Sequence, residues 1–310
     1  MSNAIDLSQL PAPDVVETID FETLLDQRTT KLLSLVSDDI REAVKAALAL
    51  ESEPLRKLLE ENAYRETVLR QRVNEAARAV MLAYAADSDL DQIAANYGIA
   101  RLTITPEDDT TTPITAAVME SDDNLRIRVQ TSMEGMSVAG PQKAYEYHAR
   151  SASGKVSDAL AFSPSPACVT VVVLSTEGDG TADNDLLQVV STALSAESAR
   201  PIGDRLTVQS AEIVNYSITA TLYVSDSPAA EVTRATAEDQ LKTYISARHR
   251  IKKSVYREII AGVLKCDGVE NIVITNPPED VIITREQAPY CTGYTLDVQA
   301  LPDDDDEQSE

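Results

Sequence analysis

The sequence predicts an α+β protein: a helical N-terminal region followed by two small α/β sandwich modules. Three observations carry this. Residues Pro54–Ala86 contain no glycine and no further proline, and good helix formers (Ala, Leu, Glu, Arg) dominate them. From Lys155 onward, β-branched runs alternate with segments of helical period. Between these regions, Arg101–Val118 is rich in Thr, Pro and Asp and has no helical stripe.

Each element is predicted by local pattern. The segment 1–19, MSNAIDLSQLPAPDVVETI, holds two prolines and little period, which predicts an extended arm that orders against a partner. Asp20 is placed as an N-cap, with Phe21, Leu24, Leu25, Leu32 and Leu33 following at helical spacing. A second helix is expected over Asp38–Leu50, with Ile40, Val44, Ala47 and Leu48 on one face. Pro54 suits the first turn of the long third helix. Its apolar positions are Leu55, Leu58, Leu59, Ala63, Leu69, Val73, Ala76, Val80, Ala83 and Tyr84. Glu61–Arg65 and Glu66–Arg70 stand four apart, acid first, the better order for surface pairs. At ~1.5 Å per residue the helix should run ~45–50 Å, more than a small domain covers alone, so part of its stripe is expected to face another chain. Asp87–Asp89 offers a fresh N-terminus for a short helix to Tyr97, with Gly98 as its C′ residue.

Residues 102–118 are the expected hinge between the helical region (20–101) and the rest of the chain. A helix over Glu120–Met133, a loop over Gly135–Gly140 and a helix from Pro141 through Ala149 come next. Strands are expected at Lys155–Phe162, Cys168–Leu174 and Asp204–Ile213, with a helix over Asp185–Glu197; the first module then spans 119–213. A second unit of similar kind is expected over 214–302. It has a strand at Tyr216–Val224, helices at Glu231–Ala247 and Val255–Leu264, and strands at Val269–Thr275 and Tyr294–Ala300. Residues 303–310 form an acidic tail outside the fold.

Composition narrows the function. The 310 residues are 43% hydrophobic but only 4% aromatic, with no Trp, so the cores must be aliphatic. The formal net charge is −24; the tail DDDDEQSE holds six acids and no base, leaving −18 elsewhere. Such a chain repels phosphate backbones and anionic membranes, so neither nucleic acid nor membrane is an expected partner. Cys168, Cys266 and Cys291 are far apart and form no CxxC, which reads as reduced thiols in or near strands. There is no signal-peptide pattern, and the longest apolar stretches are far below the ~20 residues of a membrane span.

No constellation for chemistry emerges, so no catalytic residue, metal ligand or cofactor is expected. His148 and His249 fall in separate modules with polar or basic neighbours. The common nucleophile, phosphate and zinc signatures are missing. The run from Glu177 to Asp185 alternates oxygens like a calcium loop, but Asn184 stands where glycine is needed and Val190 where a bidentate acid is needed. It reads instead as a turn whose acids offset the positive end of the next helix. Arg65, Arg70, Arg72 and Arg78 line the long helix, divided between pairs with Glu61, Glu66 and Glu75 and contacts to a partner. Arg248-His-Arg-Ile-Lys-Lys253 is the basic cluster; without interleaved aromatics it reads as a dock for an acidic surface rather than for nucleic acid. The candidate partner-interface residues are therefore Leu58, Leu69, Arg72, Val73, Val80, Tyr84, Arg250, Lys252 and Lys253.

A resemblance adds to this reading. The segment AYRETVLRQRVNEAARAVMLAYAADSDLDQIAANYGIAR contains an AYRE-type helix (Ala63–Glu66), an ML-x-YA run (Met81–Ala85), DLD-x-I-A (Asp89–Ala94), Gly98–Ile99 and Arg101. Further landmarks are Glu120-Ser-Asp-Asp, Leu125–Arg128, Ser137-Val-Ala-Gly140, Tyr145 and Ala199-Arg-Pro-Ile-Gly-Asp204. Together they resemble the baseplate J-like family, wedge proteins of contractile-tailed phages and related injection machines. The resemblance covers roughly Pro54–Val224. It implies a non-enzymatic virion protein of the tail baseplate, assembled in the bacterial host cytoplasm. It also implies that two copies join one copy of a second wedge protein through a bundle of N-terminal helices. The C-terminal domains would pair and link wedges into a sixfold ring around the central hub and spike. That ring would meet the sheath-initiating baseplate protein and widen when the tail contracts. The competing readings are an acidic adaptor or chaperone-like module and, behind it, an enzyme with a carboxylate or calcium site.

Overall fold

The computed structural model describes residue 7 and residues 20–137, 139–197, 199–224 and 230–300. The arm expected over 1–19 (residue 7 apart) and the acidic tail at 303–310 lie outside the described residues. The chain divides into two compact units, Met1–Ala100 and Arg101–Glu310.

The first unit is helical. Helix α1 (Phe21–Leu35) is capped by Asp20, whose carboxylate accepts from Thr23 N at 3.1 Å. Helices α2 (Arg41–Leu48) and α3 (Pro54–Ala79) follow. At 26 residues α3 is about 39 Å long. It stops at Ala79, seven residues short of the end its composition suggests. From there Met81 N and Tyr84 N take up turn bonds to Arg78 and Met81 carbonyls, and the turn buries Ala85. Burial overrides helix propensity here. Helix α4 (Asp87–Ala95) buries Leu90 and Ala94. It ends in a Schellman motif: Ile99 N bonds Ala94 O at 3.1 Å, Gly98 N bonds Ala95 O at 3.0 Å, and Gly98 takes φ +69°.

The second unit opens with a ribbon where a linker without regular structure was expected. Strands β1 (Thr103–Thr105) and β2 (Val118–Met119) pair antiparallel, and a further bridge joins Asp108 to Thr115. Helix α5 (Asp122–Thr131) and a 3-10 turn (Ser132–Met136) lead to α6 (Gln142–Ala152). Strands β3 (Val156–Ser165), β4 (Cys168–Ser175) and β5 (Arg205–Ser210) form a sheet in the order β3-β4-β5. The pair β3/β4 is antiparallel and β4/β5 parallel, the crossover being α7 (Asn184–Leu194). Val171 and Val173 of β4 pack with Tyr145 and Ala149 of α6 and with Leu186, Val190 and Leu194 of α7.

The second sheet is centred on β6 (Glu212–Val224), flanked antiparallel by β7 (Val269–Asn276) and parallel by β8 (Gln287–Ala300). Tyr216, Ile218, Ala220, Leu222 and Val224 alternate into a core closed by α8 (Ala230–Arg248) and α9 (Arg257–Leu264). The fold class is α+β, helices first and two sheet modules after. The strand expected over Asp204–Ile213 is in fact two. It breaks at Ala211, which is buried and whose N–H reaches Val173 O at 2.8 Å. A change of sheet at a buried small residue leaves no polar or glycine signal in the sequence. Both sheets hold one parallel and one antiparallel pair, but the central strand is second in the first sheet and first in the other. The resemblance between modules stops at architecture.

The two sheets meet back to back. Val172 and Leu174, the other face of β4, join Ala211, Ile251 and Ala288 in a shared cluster with Leu160, Phe162 and Ile213 at its margin. Strand β4 is thus covered on both faces, which explains its unbroken apolar run Val171–Leu174.

Candidate partner interfaces

The long helix α3 is built inside out. Arg56, Leu59, Glu60, Ala63, Glu66, Thr67, Arg70 and Asn74 form its half-buried to buried face. Most are polar. Glu66 pairs with Arg28 of α1 and with Arg70 at 2.8 Å. Those guanidiniums, Arg70 first and then Arg28, hold the Glu66 carboxyl below its ordinary range. Ala63, fully buried, is the small residue on this inward face. The expected pairs Glu61–Arg65 and Glu66–Arg70 are both formed.

The apolar residues point the other way. Leu58, Leu69 and Val73 lie on one helix face (offsets of 11 and 4 residues) and are 55%, 64% and 61% exposed. Val80, just past the helix, is 76% exposed, and Arg72 and Tyr84 are exposed beside them. Tyr64 and Val68 are exposed too. The sequence stripe does not include these two, because they stand off its period. Their only sequence signal is position, Tyr64 being the second residue of the AYRE run. Six of the nine candidate residues thus line one region of the first unit.

The other three belong to a loop in the second unit, and the structure separates them. Arg250 turns inward, donating to Ser157 O and, at 3.2 Å, to Asn124 Oδ1. Ile251 N donates to the buried Asp158 carboxylate at 2.9 Å, which also accepts from Ala159 N at 2.8 Å and pairs with Arg150. The Ile251 side chain enters the core between the sheets. Lys252 and Lys253 stay exposed. The pattern R-H-R-I-K-K does not reveal that its third residue is a structural tie. The partners that decide this, Ser157 and Asn124, lie 93 and 126 residues earlier.

The residues weighed for chemistry have structural surroundings. His249 Nδ1 lies 2.8 Å from Pro289 O, and its ring meets Tyr290 edge-on. His148 is partly buried, and desolvation lowers its pKa from 6.5. Asp183 caps α7, accepting from Leu186 N at 2.8 Å, and Asp179 accepts from Thr181 N at 3.0 Å. Among the described residues no group of three or more His, Cys, Asp or Glu is gathered as metal ligands would be. No described helix is long and apolar enough to cross a membrane.

The sequence landmarks meet in polar knots. Glu120, buried, pairs with Arg128 at 2.6 Å and accepts from Leu102 N at 3.2 Å; Arg101 donates to Glu120 O at 2.7 Å and pairs with Asp122 at 2.7 Å. Tyr145 donates to Asp204 Oδ2 at 2.6 Å, Arg200 donates to Asp204 O, and a Cβ on Gly140 (φ +78°) would stand 2.9 Å from Pro201 Cγ. Burial and the Asp204 carboxylate push the Tyr145 phenol well above its ordinary pKa. These motifs fix backbone.

Landmarks that serve the fold, and a long helix that leaves Leu58, Leu69 and Val73 exposed, fit a structural component of a larger assembly. Comparison with known proteins makes this specific. Residues 51–108 match the baseplate J-like N-terminal domain and residues 137–210 the baseplate J-like central domain. The baseplate protein J of Escherichia phage P2 is 56% identical over 292 residues, 94% of this chain and 97% of that protein. A chain of the cryo-EM structure of the anti-feeding prophage (AFP) baseplate, 6-fold symmetrised, is similar at TM-score 0.40 and 12% identity. That match covers 57% of this chain and 43% of the other. The chain belongs to the baseplate J-like family. It is a structural component of a phage tail baseplate and not an enzyme.

Proposed function

We propose that this chain is a wedge protein of the baseplate. The outward face of α3 is buried in a helical bundle with a second copy and with a second wedge protein. The α/β unit pairs with its counterparts and links wedges into a ring around the central hub and spike, in contact with the sheath-initiating protein. The observation that carries this reading is the inversion of α3, ion pairs inward and leucine and valine outward. Water-exposed apolar stripes of this length mark surfaces awaiting a partner. The reading extends to tail contraction: the helical unit and the α/β unit change relative orientation as the ring widens. The ribbon at 103–119 is tied to α5 through Glu120, so bending is expected on the helical side of Arg101.

Leu69→Asp and Val73→Asp test the bundle. Both side chains are exposed in the isolated chain, so the purified variants should unfold within about 0.5 kcal/mol of the parent. Co-expressed with the neighbouring tail proteins, they should fail to form the complex, because an unpaired carboxylate buried in a bundle costs several kcal/mol. Normal complex size and normal yield of contractile tails from both variants would sink the assignment.

A further inference from the structure

The loop after α8 is a held object. Arg250 is bound to Ser157 and Asn124, Ile251 is bound through its N–H to Asp158 and through its side chain to the inter-sheet core, and Lys252 N donates to Gln287 O at 3.0 Å. Lys252 takes φ +63°, an uncommon conformation for a residue with a side chain, fixed here by these bonds. The result is a rigid base presenting Lys252 and Lys253 to water, beside the start of β8. Arg285, two residues before β8 begins, lies over the Phe162 ring at 3.9 Å and is paired with Glu286 at 3.8 Å, so the charge the loop presents is that of Lys252 and Lys253.

The strongest local charge of opposite sign is the run Asp303–Glu307. It comes after β8, and the register fixes which end. Gln287 stands opposite Glu212 and Ala300 opposite Val224, so β8 runs its whole length away from the lysines. Thirteen steps of ~3.3 Å separate Gln287 from Ala300 by about 43 Å. Seven further residues, fully extended, bring Glu307 back by at most ~25 Å, and a lysine side chain closes only about 6 Å more. The acidic run therefore falls short of Lys252 and Lys253 of its own chain.

We propose that Lys252 and Lys253 receive the acidic run Asp303–Glu307 of a second copy of this chain. The contact is head-to-tail: two different segments of the chain meet, the lysine loop of one copy and the acidic run of the next. Such contacts generate rings or open chains rather than closed pairs. A chain of net charge −24 repels its own copies overall, and a fixed lysine pair is where an acidic segment of a neighbour is accepted. The inference deepens the ring reading above. It is tested on the free chain, so its failure is separable from failure of the α3 bundle.

The experiment mixes full-length protein of ordinary isotopic composition with heavy-nitrogen protein at low ionic strength. A zero-length carbodiimide then joins amines to carboxylates within contact distance. Cross-links between a peptide holding Lys252 or Lys253 and one holding Asp303–Glu307 are expected in mixed-isotope pairs. Their yield should fall severalfold as salt rises from about 0.01 M to about 1 M and the Debye length shrinks from ~30 to ~3 Å. They should vanish in Lys252→Gln/Lys253→Gln, and a chain with Asp303–Asp306 replaced by Asn should lose them equally. Links confined to one isotope, or no link between these segments in the parent protein, would overturn the proposal.

Discussion

Replacing Asp158 should loosen the second unit more than any exposed acid does. Its carboxylate is nearly buried, 8% exposed, and has three partners: Ile251 N at 2.9 Å, Ala159 N at 2.8 Å and the Arg150 guanidinium. Asp158→Ala strands both N–H groups and leaves a partly buried guanidinium unpaired. Hydrogen bonds to a charged group are worth ~1.5–3 kcal/mol each, and breaking a buried ion pair by removing one partner costs ~3–5 kcal/mol. The two figures overlap because they describe the same charge, so about 3–5 kcal/mol is the expected loss. For a unit of residues 101–310, each kcal/mol moves the melting temperature by roughly 2–4 °C, giving a drop of roughly 6–20 °C. Asp158→Asn keeps an acceptor oxygen and should fall between. Asp123→Ala, removing an exposed carboxylate paired with Arg126, is the control and should stay within ~0.5 kcal/mol. Calorimetry and urea unfolding of the three variants read the order directly. A loss at Asp158→Ala below about 1 kcal/mol, or no larger than at Asp123→Ala, would refute the claim that this carboxylate ties the sheets.

The His148 imidazole has its pKa depressed by burial, partly offset by a hydrogen bond with Gly135. The unfolded chain therefore takes up a proton near pH 6.5 that the folded chain resists. Stability is full above that pH and falls as pH drops toward the lower folded value. Melting temperatures between pH 7.5 and 5.5, above the ordinary carboxylate range, should decline less steeply in His148→Gln; an unchanged slope would refute this. Gly180→Ala should cost about 1–3 kcal/mol in urea unfolding, since φ is +97° and the new Cβ would sit 2.6 Å from Leu174 Cδ1 and 2.8 Å from His249 Nε2. In hydrogen exchange on the free chain, amides of α1–α3 should exchange well before those of β6, and equal protection would contradict the thin core of the first unit.

The fold class was legible because period is local. The alternation of β6 and the glycine-free helix α3 are written in consecutive residues, as is the Gly98 cap. The misplacements share a cause: they depend on residues distant in sequence. The end of α3 is set by burial of Ala85, and the break between β5 and β6 by Ala211 crossing from one sheet to the other. The ribbon at 103–119 was hidden because Thr, Pro and Asp suit a tight hairpin as well as a linker. At the candidate interfaces, apolar period placed Leu58, Leu69 and Val73 on one helix face, and that face is exposed in the chain; the period does not show which polar residues take the inward side. That is decided by Arg28 of α1 meeting Glu66. Arg250 and Lys252 look alike in sequence; only the position of Ser157 and Asn124 in the fold separates tie from display.

The inversion of α3 also sets the energetics of the first unit. Among its described residues, the buried apolar groups are Leu24, Leu48, Ala63, Ala85, Leu90, Ala94 and Ile99, three of them alanines. Among the described residues, the second unit buries the large clusters around β6, β4 and the space between the two sheets. At roughly 0.8 kcal/mol per buried methylene, the first unit has little surplus over the entropy of ordering its helices. The ion pairs of α3 cannot make up the difference: even the inward ones keep a quarter or more of each side chain in water, and such pairs contribute only ~0–1 kcal/mol each. What it lacks is the burial of Leu58, Leu69, Val73 and Val80, and a partner that supplies this stabilises the unit by mass action as it binds. In the proposed bundle, folding of the helical unit and assembly are coupled, and the residues proposed to meet its neighbours are the same ones that would complete its core.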